Sequence, residues 1–97
     1  MSGSTRSSDG LDARRRRLLF QSWHRGVREM DLIMGRFADA HLADLSEQDL
    51  DEYELLIAVP DPDLFAWIIG TAAAPGRYDT ALLRRLRSFH LERSGTT

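Results

Sequence analysis

The chain of 97 residues contains no cysteine and no lysine. The first absence removes disulfides, thiolate nucleophiles and thiolate metal sites together, and it fits a reducing compartment. The second leaves all 13 basic charges on arginine, so every cation on the surface is a planar, multidentate donor. Long apolar runs are missing as well. The longest, Leu64 to Ile69, is one to two helical turns and falls far short of a bilayer span. It reads as a buried helix, and the expected relation to membranes is none. Residues 1–10 lack the apolar stretch of a secretory signal and are too poor in arginine for a transit peptide, which predicts a cytoplasmic protein. Proline is scarce, with three residues, and no Gly-x-Gly-x-x-Gly turn follows a strand pattern, so a dinucleotide cradle is excluded.

What is present suits one modest core. Apolar residues make up 42% of the chain, enough for a single domain but too little to enclose a large cofactor. The net charge of −2 conceals a segmental pattern. Residues 1–28 carry +5, residues 29–69 carry −10 and residues 70–97 carry +3. Basic ends can lie against an acidic middle, although exposed ion pairs are each worth only about 0–1 kcal/mol.

Periodicity predicts five helices and no strand. The first runs from about Asp12 to Trp23, with Asp12 or Asp9 near its start, and gathers Leu11, Leu18, Leu19, Ser22 and Trp23 on one face. The second runs from about Val27 to Leu42, with Val27, Met30, Met34, Phe37, Ala38, His41 and Leu42 at 3-4 spacing. Gly26 between them suits C′ of the first helix or the N-cap of the second. Ser46 caps a third helix whose inner stripe is Leu50, Tyr53, Leu56 and Ile57. Asp61-Pro62 opens a fourth, with aspartate as N-cap and proline at the first helical position. That helix is apolar nearly all round, is expected to be the most buried element, and stops at Gly70. After a small-residue loop, Thr71 to Gly76, a fifth helix runs from about Tyr78 to Leu91. Leu82, Leu83, Leu86 and Phe89 face inward, and Arg84, Arg85 and Arg87 near its end suit the negative end of the helix dipole. The fold class is all-α: a compact bundle of about five short helices in a single domain over residues 11–92, with disordered tails at 1–10 and 93–97.

No catalytic constellation accompanies these helices. His24, His41 and His90 have no partners at metal-ligand spacing, and no nucleophile–base pair can be assembled, so the chain is read as non-enzymatic. Arg14 to Arg17 invite a nucleic-acid reading. Four consecutive helical residues point all round the axis, however, and no aromatic stacking platform lies outside the core pattern. A solvated face or an electrostatic aid to docking is preferred, and nucleic acid is not an expected partner. The segment that stands out is Arg25-Gly26-Val27-Arg28-Glu29. It places a fork-shaped cation, a bare stretch of backbone and a carboxylate at a helix start. The structural reading of the same residues is a cap, in which Glu29 at N3 reaches back to the backbone N–H of Gly26. The docking reading assigns close approach to Gly26, bidentate hydrogen bonds to Arg25, and both turn-fixing and pairing to Glu29. Arg28 and His24 are secondary contacts.

These residues fall into a longer order. Trp23, Arg25-Gly26-x-x-Glu29 and Asp31 are followed by Phe37, Leu45-Ser46, Leu55-Leu56 and Asp61-Pro62-Asp63-Leu64-Phe65-Ala66-Trp67. The chain resembles, over roughly Leu18 to His90, the succinate dehydrogenase flavinylation and assembly factor family. Val27 departs from the methionine that relatives often carry. The resemblance implies a small helical chaperone that binds the flavoprotein subunit of succinate dehydrogenase, and in some members that of fumarate reductase; separately, a monomer is expected. It implies promotion of covalent FAD attachment to a histidine of that client, whose FAD and capping domains the factor holds in a reactive arrangement. The flavin belongs to the client, so no stably bound cofactor is expected. The family's contact residues carry over to Arg25, Gly26 and Glu29. Two other readings stay beside it: a helical adaptor or antitoxin-like regulator with an unrelated partner, and a small nucleic-acid-binding regulator.

Overall fold

A computed structural model describes residues 10–94. Five α-helices and two short 3₁₀ turns account for most of them, and no strand occurs among the described residues, as the all-α class requires. The helices are α1 (Ala13–Trp23), α2 (Arg28–His41), α3 (Glu47–Ile57), α4 (Asp61–Ile69) and α5 (Ala81–Ser94). The chain divides after Leu45 into two units.

In the first unit α1 packs against α2, and a 3₁₀ turn at Leu42–Asp44 follows directly. Asp12 is the N-cap of α1; its carboxylate accepts from the Arg15 N–H at 2.8 Å. All five residues expected on the inner face of α1 are buried, Ser22 among them, and the Ser22 hydroxyl donates to the Leu18 carbonyl at 2.7 Å. Met30, Met34, Phe37, Ala38 and Leu42 are buried as their spacing demands. His41 is half-buried beside the Phe37 ring, 5.1 Å between centroids, a structural role. Val27 departs from the stripe: it is the N-cap of α2 and lies exposed. The arginine tract is not uniformly solvated either. Arg15 donates from Nε to the Leu42 carbonyl at 3.1 Å and from Nη2 to the Leu45 carbonyl at 2.5 Å, while Nη1 pairs with Asp12 at 2.6 Å. One side chain thus binds two carbonyls around the 3₁₀ turn, one of which also accepts from the Leu45 N–H, and fastens them to the start of α1.

In the second unit α5 packs against both α3 and α4. Ser46 and Asp49 form a reciprocal capping box on α3, as serine at that position suggested. The N-cap of α4 is Pro60, not Asp61: the Pro60 carbonyl already accepts from Leu64, which places Asp61 at the first helical position and Pro62 at the second. Asp61 and Asp63 therefore serve the positive end of the helix rather than capping it. Leu64, Trp67 and Ile68 are buried, but Phe65 is half-buried and Ile69 exposed, so α4 has an outer face and is not buried all round. Gly70 ends it in the left-handed region at φ 88°. The Ala66 carbonyl collects the N–H groups of Gly70, Thr71 and Ala72.

The loop closes with a 3₁₀ turn at Gly76–Tyr78, so α5 begins at Ala81, later than the pattern suggested, and continues through Ser94. The proposed tail at 93–97 loses its first two residues to the helix. Residues 95–97, and residues 1–9 of the proposed N-terminal tail, lie outside the described residues. Leu82, Leu83 and Leu86 are buried and Phe89 only half so. The shift also moves Arg84, Arg85 and Arg87 out of the last turns. Arg84 pairs with Asp79 at 3.1 Å and Arg85 with Asp49 at 3.3 Å, while Arg87 donates from Nε and Nη2 to the Trp67 carbonyl at 3.1 and 2.8 Å. The start of α5 is held by the Thr80 hydroxyl, which accepts from Leu83, and by the Glu52 carboxylate of α3, which accepts from Leu82. No helix among the described residues is long and apolar enough to cross a membrane, and no group of three His, Asp or Glu among them could hold a metal.

Candidate docking site

The candidate site is the connection between α1 and α2, residues 24–27, with the first turn of α2. Two anchors fix it. The first is Trp23, the last residue of α1, which is buried and donates from Nε1 to Asp39 at 3.2 Å. The indole lies so close to Gly35 of α2 that a Cβ at that position would overlap the ring. Glycine at 35 is therefore the condition for seating Trp23, and through it for the place where the chain leaves α1.

The second anchor is Asp31. Its Oδ1 accepts from the Arg25 N–H at 2.5 Å and from the Gly26 N–H at 3.3 Å, while its own N–H donates to the Val27 carbonyl at 2.9 Å. This corrects the capping scheme. Glu29 does not reach back to Gly26: it stands at the second position of α2, exposed, and the carboxylate two residues later performs the task. Nor is Gly26 a cap of either helix. His24 is the C-cap of α1 and Val27 the N-cap of α2. Gly26 lies between them at φ 100°, in the region that disfavours any L side chain. Nothing lies within 4 Å of the point where its Cβ would be. Within the chain, glycine is needed for its backbone conformation, and the space above it is open.

Gly26, Arg28, Glu29 and His24 are exposed around one turn and Arg25 is half-buried beside them. His24 is more than a neighbour. Its ring stacks on Phe20, 3.9 Å between centroids and 17° between planes. Its Nδ1 lies 2.7 Å from the Phe20 carbonyl. A carbonyl only accepts, so Nδ1 carries the proton and the imidazole is locked against the ring below it. The residues that sequence reasoning passed over are Asp31 as the turn's anchor, Gly35 as the seat of Trp23, and Phe20 as an exposed aromatic. A glycine facing a tryptophan turn by turn was the available signal for Gly35; for Asp31 it was a second acid following Glu29 in the same helical turn.

A family profile described as flavinator of succinate dehydrogenase matches residues 16–90. The chain belongs to that family. It is 40% identical over 74 residues to the mitochondrial succinate dehydrogenase assembly factor 2 of Dictyostelium discoideum, covering 76% of this chain and 52% of the relative. It is 38% identical over 85 residues to the FAD assembly factor SdhE of Acetobacter pasteurianus, covering 88% and 78%. With assembly factor 2-B of Drosophila melanogaster it shares 37% identity over 84 residues, 84% of this chain and 54% of the relative. The chain thus spans about half the length of these mitochondrial relatives and over three quarters of the bacterial one.

Proposed function

We propose that this protein is an assembly factor that docks on the flavoprotein subunit of succinate dehydrogenase through the His24–Glu29 turn and promotes covalent attachment of FAD to it. The observation that carries the reading is the turn itself: a left-handed glycine with open space above it, locked from within by Asp31 and bordered by Arg25, Arg28 and Glu29. Asp31 consumes the backbone donors that would otherwise recruit Glu29, so Glu29 is released for a partner. A turn fixed before contact loses little conformational entropy on docking.

The factor's own residues bind and orient; the client and its flavin supply the chemistry. Holding the client in the conformer that brings flavin and histidine together lowers the entropic part of the barrier without a catalytic group on the factor. The flavin is the client's, and the factor acts as a non-catalytic monomer in the cytoplasm. Fumarate reductase flavoprotein is a second client on the same logic. Arg15 argues against the nucleic-acid reading, since the tract's central guanidinium is occupied by two carbonyls and a carboxylate.

The test is flavin fluorescence on a denaturing gel. The succinate dehydrogenase flavoprotein is taken from cells with the gene, without it, and with Gly26→Arg. A band that survives denaturation only with the intact protein supports the reading. Equal bands in all three end it.

A further inference from the structure

Phe20 is 62% exposed on the last turn of α1, an unusual place for a phenylalanine that is also held still. Exposed aromatics without neighbours sample rotamers freely; this one is backed by the His24 imidazole at 3.9 Å, and that ring is itself pinned by its hydrogen bond to the Phe20 carbonyl. The chain enters the candidate turn immediately after His24, and on the far side of Gly26 stands Val27, 46% exposed. Among the described residues of the first unit these are the two large apolar side chains left in solvent, and both border the turn. The remaining exposed large hydrophobics, Ile69 and Leu91, belong to the second unit.

Resting on the docking role proposed above, we infer that Phe20, held by His24, is the apolar anchor of the client interface, and that the client presents an apolar pocket next to a carboxylate. The chemistry follows from what the turn offers. Interfaces concentrate their energy in a rigid aromatic that fills a pocket, with charged groups at its edge setting register. Here the aromatic is pre-ordered, and Arg25 and Arg28 supply the cations that a client carboxylate would meet. His24 acts through Phe20 as a positioning residue.

The experiment measures affinity of the purified, FAD-loaded flavoprotein subunit for the full chain and its variants by biolayer interferometry, with a thermal melt for each variant. Phe20→Ala is expected to weaken binding at least tenfold with an unchanged melt, while Leu91→Ala, similarly exposed in the second unit, binds as the parent does. His24→Ala is expected to weaken binding several-fold, to have little effect when Phe20 is already alanine, and to be rescued by His24→Tyr, which restores the stack. Phe20→Ala binding within twofold of the parent, while Gly26→Arg fails to bind, overturns the anchor and leaves the docking turn standing. Parental binding by both variants overturns the docking reading and the anchor with it. A parent that dimerises through Phe20, seen as a dimer lost in Phe20→Ala, overturns the client assignment in favour of a second copy of the chain.

Discussion

Gly35→Ala separates two effects of opposite sign. In a helix interior alanine is better than glycine by about 1 kcal/mol, so at a site with room the substitution would raise stability. Gly35 has no positive φ to protect, and its backbone accepts an L residue. The objection is steric. The added methyl would overlap three carbons of the Trp23 indole, a rigid and buried ring tied to Asp39 at its Nε1. A ring cannot give way as the end of a flexible chain can, so α1 and α2 must move apart or the indole must leave its seat. Overpacking of this kind costs about 1–3 kcal/mol. Overlap with a rigid ring belongs to the upper part of that range, about 2–3 kcal/mol, so set against the helical gain the net loss is about 1–2 kcal/mol, and for a chain of this size that lowers the melting temperature by about 4–16 °C. Thermal unfolding followed by circular dichroism reads this directly. A variant that melts at or above the parent temperature would show that the indole does not abut Gly35, and the account of how Trp23 is seated would fail. A companion cycle sharpens the test: Trp23→Phe should cost less in the Gly35→Ala background than in the parent, because the smaller ring relieves the overlap. Since Trp23 immediately precedes the turn proposed to dock, Gly35→Ala should also weaken client binding without touching an exposed residue.

Other predictions follow from the same contacts. Asp31→Ala leaves the Arg25 and Gly26 N–H groups without their acceptor; it should lower stability by about 1 kcal/mol, whereas Glu29→Ala should leave the melt unchanged, as read by parallel melts, and equal losses in the two would refute the assignment. Asp12 has its pKa held below the ordinary aspartate value, first by the Arg15 N–H that donates to it and then by the Arg15 guanidinium. Its contribution is therefore present above the ordinary aspartate pKa and is lost as pH falls through the lowered one, so the gap in melting temperature between parent and Asp12→Ala should be full at pH 7 and close in strong acid. Arg87→Lys should lower stability by about 1 kcal/mol, because a point charge cannot supply the two N–H donors that reach the Trp67 carbonyl; melting equal to the parent's would refute this.

The core was readable because burial repeats along a helix. Leu18, Leu19, Met30, Met34, Leu50, Tyr53 and Leu82 follow 3-4 spacing, and each is buried. Helix edges were less readable, since one-residue shifts change roles. Moving the start of α4 back by one residue turned Asp61 from cap to first-turn charge, and moving α5 forward took its arginines away from the dipole's negative end. The candidate site was legible as a segment but not in its wiring. Spacing allowed Glu29 to close the turn, and nothing in a linear pattern distinguishes it from Asp31. That choice depends on the left-handed backbone of Gly26, which brings two successive N–H groups onto one carboxylate oxygen. Arg15 was hidden for a related reason: the carbonyls it binds are 27 and 30 residues away.

The geometry at Gly26 has a consequence for chirality. Any natural substitution there confounds two insults, a backbone forced toward the wrong hand and a side chain set into the space a partner would use. An arginine or even an alanine at 26 cannot say which one disables docking. A mirror-image residue can. D-alanine is at ease at positive φ, so a semisynthetic chain carrying it at 26 would keep the turn and the Asp31 contacts while adding one methyl group. If that chain folds and docks, the glycine is kept for its handedness; if it folds and does not dock, it is kept for the bare surface it leaves.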